Sequence, residues 1–161
     1  MAIKVGDRMP AGQFAIMGEG GPAKLSTEEL FNGKKVVLFS VPGAFTPTCS
    51  AKHLPGFVQQ AAELRAKGVD TIACLAVNDV FVMSAWGKAS EAEGKVLMLA
   101  DGNGDYTRSL GLELDATGFG MGTRGKRFSL IVDDGTVTQI NVEPPGEFGV
   151  SSAETALQQL A

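Results

Sequence analysis

The sequence predicts an α/β domain in which helices cover a sheet that is parallel at its centre. Three apolar runs, residues 35–41, 69–77 and 95–100, are typical of buried strands, and amphipathic helical patterns lie between them. Two more strand patterns, residues 127–132 and 137–142, flank a tight turn. Alternation of strands and helices favours parallel pairing, and the hairpin adds antiparallel strands to the same sheet.

The first thirty residues predict a hairpin and a short helix. Phe14–Met17 has the composition of a strand, and the glycine-rich turn Gly18–Gly21 follows it. This turn lacks the spacing and the strand–helix setting of a phosphate-binding loop, so we interpret it as a flexible hairpin turn. Ser26 precedes a helical pattern, and Glu29, three residues later, completes a capping box.

A longer helix is predicted from Cys49 to about Lys67. Its apolar residues recur at spacings of three and four: Leu54, Phe57, Val58, Ala61 and Leu64. Pro55 and Gly56 lie inside this pattern, and proline has no N–H for the helical hydrogen bond. We therefore expect the first turns of this helix to be bent or loosened, which would help them to open.

The second half of the chain predicts two further helices, at residues 80–92 and near 106–110. Residues 111–125 are rich in glycine and have little periodicity, so we expect a long surface loop there. Asp133–Thr136 is a tight hairpin signal, and Ser151–Ser152 begins a capped terminal helix. This order of elements is close to a thioredoxin-like fold with additions at the N-terminus and in the middle.

Composition excludes several classes of function. The chain has 161 residues, so we expect residues 1–161 to form one domain. A net charge of −4 and the lack of a basic cluster argue against nucleic acid and anionic membranes as partners. No apolar run approaches the ~20 residues that span a bilayer. The N-terminus has no signal-peptide pattern, and we expect a cytoplasmic protein.

The chain has two cysteines, Cys49 and Cys74, and one histidine, His53. This set is too small for a four-ligand Cys–His zinc site or a disulfide framework, so we expect neither metal nor cofactor. Cys74 lies in the middle of an apolar strand and has the pattern of a small buried side chain. Cys49 instead begins a helix, where unpaired N–H groups and the helix dipole favour thiolate, the nucleophilic form. We therefore interpret Cys49 as a catalytic nucleophile.

Two other kinds of cysteine site are less consistent with the sequence. A Cys-x-x-Cys redox pair would need a thiol at position 52, which is Lys52. A Cys–His hydrolase pair is possible in principle, because His53 lies four residues after Cys49 and shares its helix face. No oxyanion donor is marked in the sequence, however, and we expect His53 to bond to backbone near the loop.

Residues 42–49, Pro-Gly-Ala-Phe-Thr-Pro-Thr-Cys, resemble the peroxidatic signature Pro-x-x-x-Thr-x-x-Cys of the peroxiredoxins. The run from Phe39 to Phe57 is similar to the type II, or peroxiredoxin-5, subgroup. Further similar blocks cover nearly the whole chain, at residues 73–79, 86–87, 93–95, 99–101, 126–129 and 141–144. The resemblance implies a thiol-dependent peroxidase that reduces hydrogen peroxide and alkyl hydroperoxides. A peroxide sensor that uses the same sulfenic acid is the alternative.

The resemblance also implies roles for individual residues. Cys49 would attack the peroxide and become a sulfenic acid, and Thr46 would hydrogen-bond the peroxide and the sulfur. Pro42 would shield the pocket from water, and Arg127 would lower the thiolate pKa and polarise the O–O bond. Arg124 competes with Arg127 for this role and ranks below it. Three residues would shape the pocket through backbone donors and packing: Gly43, Ala44 and Phe45.

Some members of the subgroup carry a resolving cysteine after Asn-Val-Glu-Pro, and this chain has none there. The only other thiol, Cys74, is expected to be buried, so bridging would require some unfolding of the helix start. We therefore expect an external thiol to resolve the sulfenic acid, either glutathione with glutaredoxin or thioredoxin. The resemblance further implies a homodimer formed near the active site. Candidates for that face are Phe45, Phe81, Trp86 and the 111–125 loop, although Trp86 alone fits the core better.

Overall fold

A computed structural model describes residues 2–160, and for Cys49 it describes the backbone without the side chain. The strands are β1 (Gln13–Gly18), β2 (Gly21–Ser26), β3 (Lys35–Ser40), β4 (Thr71–Ala76), β5 (Leu97–Ala100), β6 (Glu113–Asp115), β7 (Thr123–Gly125), β8 (Phe128–Asp133) and β9 (Thr136–Val142). The helices are α1 (Thr27–Phe31), α2 (Leu54–Gln59), α3 (Ala61–Ala66), α4 (Val80–Ala89), α5 (Asp105–Ser109) and α6 (Ala153–Gln159). One π-helical turn, Cys49–His53, precedes α2.

Seven strands form one mixed sheet in the order β2-β1-β5-β4-β3-β8-β9. The central strands β3, β4 and β5 are parallel, and the remaining pairs are antiparallel. The predicted α/β fold, with a parallel centre and an added hairpin, is therefore confirmed. No helix within residues 2–160 is long and apolar enough to cross a membrane.

The sheet has a hydrophobic core on each face. Because side chains alternate along a strand, Val37 and Phe39 of β3 point to one core, and Val36 and Leu38 point to the other. Helices α2, α3, α4 and α6 cover the first core, and α1 and α5 cover the second. Trp86 of α4 is fully buried, so the prediction that it belongs to the core is confirmed.

Several local predictions are also confirmed. Gly18 pairs with Gly21 at the tip of the β1–β2 hairpin, and Ser26 and Glu29 form the capping box of α1. Asp134 and Gly135 both have positive φ, 48° and 82°, as the tight turn between β8 and β9 requires. Ser152 caps α6 by accepting from the Thr155 N–H.

The helix predicted from Cys49 to Lys67 is not continuous. It consists of the π-turn, α2 and α3, and the break between the two α-helices falls at Gln60, not at Pro55–Gly56. Pro55 lies in the first turn of α2, where its missing N–H costs little. The wider π-turn lies just before it, and such turns are frequent at functional sites.

The prediction of an irregular loop at residues 111–125 is wrong. Strands β6 and β7 pair there as a small antiparallel hairpin, with one 3₁₀ turn at Thr117–Phe119. Each strand has only three residues, too few for alternation to be recognised in the sequence. The hairpin matters for the site because it carries Arg124 in β7.

Candidate active site

Three distant segments of the chain meet at one edge of the sheet because of its register. The parallel strands β3 and β4 both end at this edge. Strand β8 runs antiparallel to β3, and its first residue, Phe128, pairs with Ser40, the last residue of β3. Arg127 therefore lies at the edge where the loop after β3 begins, although it is far from that loop in sequence.

The loop after β3, residues 41–48, is held by a hydrogen bond to Asn78 and by a hydrogen bond within the loop. The Ala44 N–H donates to Asn78 Oδ1 (2.9 Å), and Thr46 Oγ1 donates to the Gly43 carbonyl (2.7 Å). Phe45 has a left-handed φ of 64° and an exposed side chain, and strained residues of this kind cluster at functional sites. Since the Ala44 N–H is already bonded to Asn78, it is not available as a backbone donor in the pocket.

Gly43 is a point of close approach between this loop and the β6–β7 hairpin. A Cβ at this position would lie 3.2 Å from Arg124 Nη1, 3.2 Å from Thr46 Cγ2 and 3.3 Å from Met121 Cε. Arg124 also donates from Nε to the Met121 carbonyl (2.9 Å). Glycine thus allows the hairpin to pack closely against the loop, and Arg124 acts as part of that packing.

The π-turn is fixed to the loop and to α4. The Ser50 N–H donates to the Thr46 carbonyl (2.9 Å), and Trp86 Nε1 donates to Ser50 Oγ (3.0 Å). The Cys49 side chain, the predicted nucleophile, lies outside the described residues. Its backbone begins this turn, between Thr46 and Ser50, so the thiol-bearing position is at the same edge of the sheet.

His53 closes the π-turn and contacts Arg127. Arg127 Nη1 lies 2.8 Å from His53 Nδ1, and His53 Nε2 lies 3.0 Å from the Ser151 carbonyl. An arginine can only donate and a carbonyl can only accept, so Nε2 carries the proton and Nδ1 accepts. Burial, with the charge of Arg127 as the next cause, lowers the pKa of His53 to about 3. His53 is therefore neutral at neutral pH.

This geometry argues against the Cys–His hydrolase alternative, in which His53 would be the general base. Both ring nitrogens of His53 are engaged, and a group with a pKa of about 3 is a poor general base near pH 7. The expectation that His53 would bond to backbone is confirmed at the Ser151 carbonyl, which belongs to the segment before α6 and not to the predicted loop. Among the side chains that the structure describes, which do not include that of Cys49, no group of three or more His, Cys, Asp and Glu residues is placed to hold a metal ion.

An apolar groove of about 490 Å³ opens beside Pro42 and Arg127. Its apolar lining includes Leu114, Ala116, Phe119, Met121, Val142 and Pro144. Phe119 is 86% exposed, and it comes from the 3₁₀ turn that the sequence did not predict. The groove therefore places an apolar surface next to Arg127, and this surface is suited to contact with an apolar group.

Cys74 lies in the central strand β4 and is completely buried. Its register neighbours are Phe39 in β3 and Met98 in β5. Its side chain belongs to the same core as Leu54 and Trp86. The prediction that Cys74 is a buried strand residue is confirmed, and a disulfide to it would require that core to open.

Sequence reasoning missed four residues that build this site: Asn78, Ser50, Glu143 and Ser151. The position of Asn78 gives a partial indication in the sequence, because it follows a predicted parallel strand, and the loops after parallel strands lie at the same edge of the sheet. Ser50 and Ser151 form hydrogen bonds to residues far away in sequence, Trp86 and His53, and Glu143 binds Ser151 across the segment after β9. No local pattern marks any of these three residues.

Known proteins are similar to this chain over nearly its whole length. Residues 4–157 match the family model described as Redoxin. Peroxiredoxin-2B of Arabidopsis thaliana is 53% identical, with 98% of each chain covered. Peroxiredoxin-2C of Oryza sativa subsp. japonica is 51% identical, also with 98% of each chain covered.

A solved structure with the same fold holds hydrogen peroxide. The reduced Prx3 of Vibrio vulnificus in complex with H₂O₂ superposes with a TM-score of 0.95 at 52% identity, with 99% of each chain covered. At this level of identity the likeness extends to the sequence as well as to the fold.

Proposed function

Because the chain belongs to the redoxin family, and within it to the type II peroxiredoxins, it is a thiol-dependent peroxidase, and we propose that Cys49 is its peroxide-reducing thiol. The observation that carries this proposal is that the stretch after β3 and the residue before β8 meet at one edge of the sheet. The Pro42–Thr46 loop, the π-turn that begins at Cys49 and Arg127 all lie there. Its substrates are peroxides, and a thiol reductant regenerates it.

The proposed reaction begins with attack of the Cys49 thiolate on one peroxide oxygen. The S–O bond forms as the O–O bond breaks, and the leaving oxygen departs as hydroxide or alkoxide and takes a proton to give water or an alcohol. The guanidinium of Arg127 stabilises the negative charge that develops on that oxygen. Cys49 is left as a sulfenic acid, oxidised by two electrons.

Thr46 has a defined part in this proposal. Its hydroxyl proton is directed to the Gly43 carbonyl, so its oxygen lone pairs remain available as acceptors. We propose that Thr46 accepts a hydrogen bond from the O–H of the peroxide and so orients it. Pro42, which lines the groove and has no N–H, limits the access of water at the same point.

The apolar groove supports alkyl hydroperoxides as a second substrate class. The peroxide end would lie beside Arg127 and Pro42, and the organic group would contact Met121 and Phe119. Burial of apolar surface in this groove favours binding, at about 25 cal/mol per Å². Hydrogen peroxide lacks such a group and would depend on the polar contacts alone.

We propose that the sulfenic acid is resolved by an external thiol, with glutathione and glutaredoxin or with thioredoxin. The thiol attacks the sulfenic sulfur and releases water, and a second thiol reduces the resulting mixed disulfide. The Cys74→Ser variant should keep turnover within about threefold of the wild type with at least one of these systems, since Cys74 lies in a closed core. Steady-state reduction of hydrogen peroxide and cumene hydroperoxide, with each system in parallel, measures this.

Two outcomes would contradict parts of that account. Loss of turnover in Cys74→Ser with both systems, in a folded variant, would mean that Cys74 takes part in resolution. Lack of turnover in the wild type with both systems would reject these reductants. The rates with hydrogen peroxide and with cumene hydroperoxide show which class of peroxide the groove serves.

We also propose a homodimer through the face formed by Phe45 and Phe81. Both side chains are exposed, at 55% and 64%, and aromatic residues are enriched at protein interfaces. Phe45 follows Ala44, which is bonded to Asn78, and Phe81 lies in the first turn of α4. A dimer there would bring the partner close to the active-site loop.

Phe81→Asp should convert the dimer to a monomer, because it places a charge in the centre of an apolar contact. Sedimentation velocity measures the change. Val5→Asp is the matched control, since Val5 is 56% exposed and lies in the N-terminal segment beside β9. A wild-type monomer, or equal dissociation by both variants, would contradict this face as the interface.

A further inference from the structure

A series of buried polar groups leads from the end of β9 to Arg127. Glu143 is 6% exposed and directly follows this strand. Its Oε2 accepts from the N–H of Gly149 (2.7 Å), the N–H of Ser151 (2.8 Å) and the hydroxyl of Ser151 (2.7 Å). A buried carboxylate with three donors is well satisfied, so it fixes the segment between β9 and α6.

Ser151 connects this segment to His53. Its carbonyl accepts from His53 Nε2 at 3.0 Å, and the His53 side chain is almost completely buried. Three aromatic rings surround the imidazole, with centroid distances of 4.8, 5.7 and 5.0 Å to Phe39, Phe57 and Phe148. Because the ring is enclosed and held at Nε2, its Nδ1 lone pair points in one fixed direction.

Arg127 lies at the end of that direction. Its Nη1 donates to His53 Nδ1 at 2.8 Å, and its Cζ lies 5.9 Å from the centre of the Phe148 ring. Its carbonyl also accepts from the Glu143 N–H at 2.9 Å. The short segment after β9 therefore restrains Arg127 at both its backbone and its side chain.

We propose that His53 is a positioning residue for Arg127, ordered by Ser151 and Glu143. This inference rests on the proposed role of Arg127 in the peroxide reaction. A neutral imidazole holds the guanidinium while leaving its full positive charge for the reacting atoms, whereas a carboxylate in its place would offset that charge. His53 also ends the π-turn that begins at Cys49, so Arg127 is oriented relative to the turn that carries the thiol.

A double-mutant cycle on the second-order rate of reaction with hydrogen peroxide tests this. His53→Leu should lower that rate about tenfold, as expected for loss of one hydrogen bond to a charged group. In an Arg127→Gln background, the same change should alter the rate by less than about twofold, because the group it positions is absent. An unchanged rate in His53→Leu alone, or an equal loss in both backgrounds, would overturn the proposal. No loss in Arg127→Gln alone would instead contradict the proposed function.

Two polar variants keep the test valid if His53→Leu does not fold. His53→Asn retains an acceptor near the position of Nδ1, so its rate should stay within about threefold of the wild type. His53→Gln places its amide near Nε2, where it serves Ser151 and not Arg127, and should lose about tenfold. A purely structural role for the Ser151 bond predicts the opposite order of rates, and that order would reject the proposal.

Discussion

Cys49→Ser is expected to abolish peroxidase turnover with hydrogen peroxide and with organic hydroperoxides. The rate should fall on the order of 1,000-fold or more, because serine is not ionised at neutral pH and the thiolate is the reactive nucleophile. The replacement differs by a single atom, so the fold should be retained. Stopped-flow measurement of peroxide consumption by the pre-reduced protein checks the result.

Ser50→Ala is the matched control for this variant. Ser50 is the next residue of the π-turn, and its hydroxyl, which accepts a hydrogen bond from Trp86 Nε1, has no part in the proposed reaction. Its loss should change the rate by about threefold or less. Substantial peroxide consumption by Cys49→Ser would show that another group, with Cys74 as the remaining thiol, reacts with peroxide.

Arg127→Gln is expected to lower the rate of the peroxide reaction by about 100-fold, the usual effect of removing a donor to developing negative charge. It should also shift the alkylation of Cys49 by iodoacetamide to higher pH, because a nearby cation favours thiolate. Arg127→Lys should recover only part of the rate, since an ammonium keeps the charge but lacks the planar pair of donors.

Arg124→Gln is the control that separates charge from position. Arg124 bears the same charge as Arg127 and packs against Gly43. Its Nε donates to the Met121 carbonyl, whereas the guanidinium that donates to His53 is that of Arg127. Its replacement should cost less than about tenfold. If both variants lost the same fraction of the peroxide rate and shifted the pH dependence of Cys49 alkylation equally, the total positive charge near the site would matter and the position of Arg127 would not.

The strands and the site edge were predictable because they depend on local patterns and on topology. Apolar runs identified β3, β4 and β5, and Asp134–Gly135 identified the hairpin that brings Arg127 back to the end of β3. The β6–β7 hairpin was missed because each strand has only three residues and the connection between them is rich in glycine. The break at Gln60 was missed because Pro55 gives a stronger local signal for a helix interruption than a glutamine does.

Within the site, sequence patterns marked the residues that we propose to act on the peroxide, and they did not mark the residues that contact and position them. Pro42, Thr46 and Arg127 belong to a motif or to a resembling block, and the structure brings them to one edge. The bond between His53 and Arg127 joins residues 74 positions apart, and the Glu143–Ser151 contacts depend on a bend after β9. Such pairings follow from tertiary packing, so no spacing in the sequence indicates them.

The most direct test of the central claim is to trap the oxidised thiol after reaction with one equivalent of hydrogen peroxide. The reduced protein is mixed with peroxide in the presence of dimedone, which reacts with sulfenic acids, and the labelled peptide is located by mass spectrometry. Cys49 as the reacting thiol predicts dimedone on the Cys49 peptide, in proportion to the peroxide consumed, and none on the Cys74 peptide. Consumption of peroxide with the label on Cys74, or with no label on Cys49, would contradict it.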